Sequence, residues 1–430
     1  MIESPVLRHY PATIMPDPSR TIARPFVPGY PDGYAADHRS RAAVIADRLL
    51  ALDDEALDAE LADISQSLDE RHHEVEAMLM RRYDALAPHL GTASALDRRR
   101  RLLIGAYFTQ EYSFEAAALF NPSAVLHPDQ SGVPTGAVRF IMSLRAIGEG
   151  HVSSLSFRTG TWMPGGALEI DPVGPTTQPP IVEEGRDGDT TFVELHCGGS
   201  RVVSETVLFP VTASQKQGIE DVRMVRFVED DGTVTYYGTY TAFDGREARS
   251  EMLVGNNFHA FDMRLLRGDA VKNKGMALFP RRVEGRYAML GRQDNENIWL
   301  LFSDDVFEWS GGTRVIRPRY PWEFVQMGNC GSPIEVDEGW LVLTHGVGKI
   351  RNYAMGACLL DKRDPTRLLA RTPKPILAPA PEQRDGYVPN VVYSCGALAV
   401  ERHLLLPYAV ADSFTAFAAT TVDALLAAME

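Results

Sequence analysis

The 430 residues include only four cysteines, Cys197, Cys330, Cys358 and Cys395, and no two of them form a CxxC pair. This argues against a disulfide framework or a thiolate zinc site and for buried thiols in a reducing compartment. No stretch approaches the roughly 18 consecutive apolar residues of a membrane-spanning helix. The opening "MIESPVLRHYPATIMPDPSRTIARPF" also lacks an apolar run behind a basic start. The expectation is a soluble cytoplasmic protein with no membrane partner. Positive charge is scarce: 43 Lys and Arg stand against 57 Asp and Glu, a net charge of -14. Such a surface repels nucleic acid and anionic lipid, so any anion the protein handles must meet a local basic pocket. Missing as well are a GxxxxGK[ST] loop, a GxSxG elbow, an HExxH pair and a GxGxxG turn after a strand. Nucleotide, serine-hydrolase and zincin chemistry are thereby disfavoured. What is present is an ordinary globular composition, 45% hydrophobic and 23% charged, on a chain long enough for two or three domains or one large repetitive one.

Prolines at positions 5, 11, 16, 18, 25, 28 and 31 make residues 1–36 an extended arm that cannot be helical. From about His38 to Leu103 the spacing changes. Leu57, Leu61, Ile64 and Leu68 recur at helical intervals, as do Val75 and Leu79, which predicts two or more amphipathic helices within 37–105. The cluster "DRRRR", Asp97 to Arg101, reads as a salt-bridged helix face beside acidic helices. Beyond residue 120, short β-rich runs such as "VRFIMSLRAI", "TVTYYGTYTAF", "NIWLLFSDD" and "GWLVLTHGV" alternate with Gly, Pro, Asp and Asn turns. Residues 106–430 are therefore expected to be all-β, as a sandwich, barrel or propeller, with the length favouring a propeller. Residues 160–200, rich in Gly, Pro and acids, read as a long loop or inserted excursion. A last helical pattern, "DSFTAFAATTVDALLAAME", predicts a short C-terminal helix.

Several polar residues sit at predicted strand ends: Asn121 in "FNPS", Arg145 in "SLRA", Asp221 in "IEDVR", Lys274 in "KNKG", Arg292 in "LGR", His345 in "THG" and Asp412 in "YAVAD". Each alone has a bland reading, as a turn Asn, an edge Arg, a core His or a capping Asp. Their order and spacing change the weighing. With "YTAFDG", "NKGMALFP", "EGRYAMLGR", "GSPIEVDEGWLVLTHGV", "LLDKRDPTRLLARTPKPIL" and "GYVPNVVYSCG", they make the sequence from about Phe114 to Asp412 resemble glycoside hydrolase family 130, the β-mannoside phosphorylases and β-mannosidases.

The resemblance implies a five-bladed β-propeller with an added N-terminal helical segment, and an active site in the central funnel. It implies inverting phosphorolysis of a β-mannosidic bond to α-mannose 1-phosphate, with inorganic phosphate as co-substrate, no other cofactor and no metal. Asp221 matches the general acid, relaying its proton through a mannosyl hydroxyl, with Glu220 in support. Lys274, Arg292 and His345 fall on phosphate-binding positions, and Arg249 is a further candidate. Asn121, Arg145 and Asp412 match positions that hold the mannosyl hydroxyls. One acid suffices because phosphate is already an anionic nucleophile, whereas an inverting hydrolase needs a second carboxylate to activate water. Glu149, Glu205 and Glu220 are the candidates for that second group, so hydrolysis stays open, as does a non-catalytic glycan-binding propeller. The sequence departs from the family pattern at Val222, Ser332 and the "YAMG" of Tyr353 to Gly356, and in the segment carrying His151 and Arg158. The helical segment offers a surface for homo-oligomer contacts. Linkage and leaving sugar are not legible.

Overall fold

Prolines keep the N-terminal arm out of helix, and the arm is drawn into sheets instead. In the computed structural model, which describes residues 6–31, 34, 39–90 and 96–430, Arg8–Ile14 and Thr21–Pro25 are both strands. Pro5, the other ends of the predicted arm and His38 lie outside the described residues. The chain divides into two units, one of Met1–Pro18, Phe114–Gly174 and Pro179–Glu430, the other of Ser19–Ser113 and Pro175–Gln178.

The smaller unit contains the expected helices: α1 (Arg41–Leu50), α2 (Asp54–Leu68), α3 (Val75–Leu90) and α4 (Arg98–Tyr107). Three of them start where a short polar side chain accepts a backbone N–H: Ser40 from Ala43, Asp53 from Ala56 and Asp97 from Arg100. Their shared core includes Leu57, Leu86, Leu103, Ile104 and Phe108. α3 and α4 approach closely at Gly105, where a Cβ would lie 2.1 Å from the Leu79 carbonyl oxygen. The arginine cluster is salt-bridged as the sequence suggests: Arg99 reaches Asp58 and Asp54, Arg98 reaches Glu76, and Arg100 reaches Asp97. Thr21–Pro25 pairs with Thr109–Ser113 to complete this unit.

The larger unit is mostly β. Its strands run as five antiparallel groups in chain order, each group up and down between neighbours. The first joins Ala118–Leu126, Val138–Ile147, Ser153–Trp162 and Leu168–Ile170; the second joins Gly218–Val228, Val234–Phe243, Ala248–Gly255 and Ala260–Leu265. A single parallel pairing, Gly218 with Ser153, links the two into one sheet. The third group runs from Ala277–Leu278 to Thr313–Ile316 and the fourth from Gln326–Asn329 to Leu368–Arg371. The fifth contains Val392–Tyr393, His403–Val410 and Phe414–Thr421, and Arg8–Ile14 adds to its far edge. No sheet among the described residues closes on itself. Apolar faces of successive groups share cores: Trp340 of the fourth packs edge-on against Phe279, next to the third, at 4.9 Å. Burying a side chain of that size contributes about 1.5–3 kcal/mol. Ala118, Phe120 and Ile147 of the first group also cluster with Ala409 of the fifth.

Two expectations are corrected here. The segment from Asp412 to Glu430 is not helical throughout: Phe414–Thr421 is strand, and the expected short C-terminal helix is confined to Val422–Ala427 (α5). Strands pair on both sides of Phe414–Thr421, and that pairing overrides the helix preference of its alanines. Residues 160–200 are not simply a loop. Ile181–Asp187 and Thr190–His196 form a hairpin that extends the second group from Ala260–Leu265. Its two-residue turn places Gly188 at φ +57°, the left-handed conformation that tight hairpins need. Among the described residues no helix is long and apolar enough to cross a membrane.

Candidate active site

Two β-bulges aim the central pair of side chains. On Ala118–Leu126 the step from Phe120 to Ser123 faces only Arg145 to Ser143, and on Gly218–Val228 the step from Glu220 to Arg223 faces only Thr241 to Thr239. Each inserts one extra residue, and Asn121 (φ 50°) and Asp221 (φ 54°) both take the left-handed conformation there. Bulges of this kind re-aim a side chain out of the normal alternation. Asn121 Nδ2 consequently donates to Asp221 Oδ1 at 2.7 Å.

Arg145 and His345 arrive by a second repeated device. Each stands three residues before a glycine, Gly148 or Gly348, that opens a short turn with nearly identical backbone angles. His345 fits because it faces Gly328, where a Cβ would lie 2.6 Å from its Cε1. Lys274 follows Asn273 in a loop, Arg292 follows the strand Tyr287–Gly291, and Asp412 lies between His403–Val410 and Phe414–Thr421.

These residues converge. A cavity of about 190 Å³ is lined by Asn121, Arg145, Asp221, Lys274, Arg292, His345 and Asp412. Glu220 is buried beside it, its two carboxylate oxygens taken by Arg145 at 2.7 Å and by Lys274. Arg145 also reaches Asp221 at 3.4 Å. Arg249 is the exception: it is exposed on Ala248–Gly255, pairs weakly with Glu247 at 3.9 Å, and lines a different cavity. Strand alternation accounts for this, since its neighbour Ser250 is the buried one. His151 does not line the cavity either, and its Nδ1 meets the Tyr387 hydroxyl at 2.9 Å. Arg158 is buried in a two-pronged pair with Glu115 at 2.8 and 3.0 Å.

Sequence reasoning missed Arg223, Gln326, Arg351, Tyr353 and Tyr393. Arg223 is buried and donates to the Asp221 carbonyl at 3.0 Å and to the Tyr393 hydroxyl at 2.6 Å. The other four line the cavity. Arg223 stands in the quoted "IEDVR" itself, where its charge was a readable signal; the turn that delivers Arg351 and Tyr353 had none.

The charges divide the cavity in two. Arg145 and Lys274 are committed to Glu220 and Asp221, whereas Arg292 has no carboxylate within ion-pair distance among the described residues. Its nearest polar partner is His345, with NH1 to Nε2 at 3.2 Å. Arginine only donates, so Nε2 accepts and the remaining ring N–H is on Nδ1, 3.8 Å from Cys330 Sγ. Burial, then Arg292 and Arg223, push the His345 pKa far down, so the ring is neutral at pH 7. The Nε atoms of Arg145, Arg223 and Arg292 are buried and unpartnered among the described residues. Buried donors are nearly always satisfied, so this concentration marks a place for acceptor oxygens.

The carboxylates differ. Burial raises the Asp221 pKa, but Arg145, Arg223, Lys274 and the Asn121 amide outweigh it and hold the group below the usual range. Asp412 goes the other way: burial and the neighbouring Asp221 charge push it up to about 7. None of the proposed second carboxylates is free in the cavity. Glu149 lies exposed on a turn, Glu205 is buried and accepts from the Arg201 N–H at 2.7 Å, and Glu220 is doubly paired.

The family model for β-1,4-mannooligosaccharide phosphorylases of glycoside hydrolase family 130 matches residues 199–430. The chain belongs to glycoside hydrolase family 130. This family 130 chain is 33% identical to a 1,2-β-oligomannan phosphorylase of Thermoanaerobacter sp. (strain X514) over 216 residues, 49% of this chain and 71% of that one. It is 31% identical to a β-1,2-mannobiose phosphorylase of Listeria innocua serovar 6a over 234 residues, 52% of this chain and 63% of the other. Among solved structures, the Listeria innocua β-1,2-mannobiose phosphorylase in complex with β-1,2-mannobiose superposes with a TM-score of 0.52 at 20% identity, covering 74% of this family 130 chain and 92% of that one. At that identity the likeness bears on fold alone.

Proposed function

We propose that this protein is an inverting β-mannoside phosphorylase that releases α-mannose 1-phosphate. The observation that carries the reading is the Arg292–His345 corner, a half-buried cation with no carboxylate partner among the described residues, in the same cavity as a carboxylate held between Asn121 and Arg145. A dianion held at Arg292, with Lys274 and His345 beside it, is positioned by fixed charge in a water-poor site. In the proposed reaction a phosphate oxygen attacks the anomeric carbon from the face opposite the leaving sugar. The C1–O bond to that sugar breaks, and the Asp221 proton passes through a mannosyl hydroxyl to the departing oxygen. Asn121, Arg145 and Asp412 hold the mannosyl hydroxyls. Asp221 is ionised while the site is empty. A phosphate dianion arriving beside Arg292 adds negative charge nearby and raises the Asp221 pKa, which favours its protonation as the nucleophile binds. Phosphate supplies the nucleophile, and the reaction draws on no metal or organic cofactor.

The same reading takes the five strand groups as the blades of a five-bladed propeller. Support comes from the chain-order packing of successive groups, the contact of the first with the fifth, and the completion of the fifth by Arg8–Ile14. A cytoplasmic location fits the four buried free thiols. The helical unit is the surface proposed for self-association.

Asp221→Asn tests the acid. General-acid assistance is typically worth about 10²–10⁴-fold, so kcat should fall by that range while phosphate and sugar affinities, read by calorimetry, persist. Unchanged kcat would remove Asp221 from the role.

A further inference from the structure

The hairpin of Ile181–Asp187 and Thr190–His196 contributes nothing to the Asp221 cavity, yet one of its faces gathers three side chains of metal-binding type. Strand alternation puts Glu194 and His196, two residues apart, on the same face, and the register sets Glu183 of the neighbouring strand directly opposite Glu194. The row continues one strand further, because Asp262 faces Glu194 from its other side. Three carboxylates are thus aligned across three antiparallel strands, where like charges directly opposite one another are destabilising.

The row is compensated at one end. Asp262 is held by Arg264 at 3.2 Å, and that guanidinium also lies 3.8 Å over the Phe192 ring and reaches Asp187 at 3.1 Å. Glu183 and Glu194 have no Lys or Arg within ion-pair distance among the described residues. The group beside both is His196, whose Nε2 is 3.4 Å from Glu183 Oε2 and 3.6 Å from Glu194 Oε2. Those separations exceed the roughly 2.7–2.9 Å of charge-assisted hydrogen bonds. They match instead the edges of a coordination tetrahedron, since ligands about 2.0–2.2 Å from one zinc ion stand about 3.3–3.6 Å apart. One ligand atom from each of the three residues lies within 4.8 Å of the other two.

Gly185 supplies an independent sign that this carboxylate is placed on purpose. Its φ is not left-handed, so the backbone does not require glycine there, and glycine weakens a strand interior unless something approaches closely. A Cβ on Gly185 would lie 2.5 Å from Glu194 Oε1 and 2.4 Å from Phe192 Cε2. The absent side chain leaves the room that the Glu194 carboxylate occupies.

We propose that Glu183, Glu194 and His196 bind one Zn²⁺ ion, a site apart from the cavity of the reaction. Calcium and magnesium take six or more oxygen ligands, whereas two carboxylates with one imidazole, and water at the fourth position, suit zinc. His196 binds through Nε2 and keeps its ring proton on Nδ1. The three side chains are partly exposed, so the ion enters from solvent. Its role is structural: it neutralises the opposed pair and ties the outermost strand, Ile181–Asp187, to its neighbour.

The test titrates untagged, metal-free protein with Zn²⁺ against a chromogenic chelator, for wild type, Glu183→Gln, His196→Gln and Glu183→His. Wild type should take up one equivalent at micromolar zinc, and each Gln variant should bind about tenfold more weakly or worse. Glu183→His exchanges one zinc ligand for another and should stay within about tenfold of wild type. Zinc should also slow amide hydrogen exchange across residues 181–196 in wild type and not in His196→Gln. Without zinc, Glu183→Gln should melt no lower than wild type, because it removes one of two opposed charges. No uptake by wild type, equal affinity in wild type and both Gln variants, or equal affinity for Mg²⁺ or Ca²⁺ overturns the proposal. The titration needs no turnover, so it is read independently of the phosphorolysis.

Discussion

Replacing Arg292 with alanine should weaken phosphate far more than mannoside and leave the fold intact. The side chain is half-buried with its Nε buried and unpartnered among the described residues, and its side-chain hydrogen-bond contact among them is the 3.2 Å approach to His345 Nε2. Burial, the dominant influence, lowers its pKa, so the empty site carries this cation at a cost to stability. A hydrogen bond to a charged group is worth about 1.5–3 kcal/mol. At about 1.4 kcal/mol per decade, losing one such bond raises the phosphate KM by roughly ten- to a hundred-fold. The assay is initial rate against phosphate at saturating β-mannoside, joined to thermal melts with and without phosphate. Wild type at a hundred times its dissociation constant gains about 2.7 kcal/mol from phosphate, and the variant should lose most of that gain. Without phosphate the variant should melt no lower than wild type. An unchanged phosphate KM with a raised mannoside KM would refute the reasoning and assign Arg292 to the sugar.

Asp412→Asn should stabilise the protein in a pH-dependent way. With a folded pKa of about 7 against about 3.8 unfolded, the folded state binds the extra proton between those values, so this group's contribution falls as pH rises through that window. The loss is on the order of 4 kcal/mol above pH 7, and the melting difference between variant and wild type should grow from near zero at pH 4 to a plateau past neutrality; a pH-independent difference would count against the assignment. Arg249→Ala, exposed and outside the cavity, should leave the phosphate KM within about twofold of wild type, and a tenfold rise would restore it to the site.

The readable part of the site lay where backbone geometry and residue type coincide. Asn121 and Asp221 sit in short polar interruptions of apolar strands, and the structure shows a bulge at each. Lys274, Arg292, His345 and Asp412 stand at strand ends, where a polar residue beside an apolar run is conspicuous. Arg249 looked equivalent, but a strand's alternation decides which of two neighbours faces inward, and there the buried place went to Ser250. Arg351 and Tyr353 reach the cavity through a turn whose strained Ile350 no propensity rule predicts. The C-terminal alanine-rich segment was misread for a related reason: strands from opposite ends of the chain, Arg8–Ile14 and His403–Val410, flank it, and that pairing is invisible to local periodicity. The hairpin at Ile181–His196 was obscured by the Gly- and Pro-rich residues before it.

The central claim is that phosphate, and not water, attacks the mannosyl carbon. The most direct measurement is product analysis by NMR after incubating the protein with β-1,2- and β-1,4-mannooligosaccharides, with and without inorganic phosphate. The account predicts α-mannose 1-phosphate formed only when phosphate is present, from at least one linkage series. Free mannose released at equal rates in both conditions would contradict it and make the protein a hydrolase.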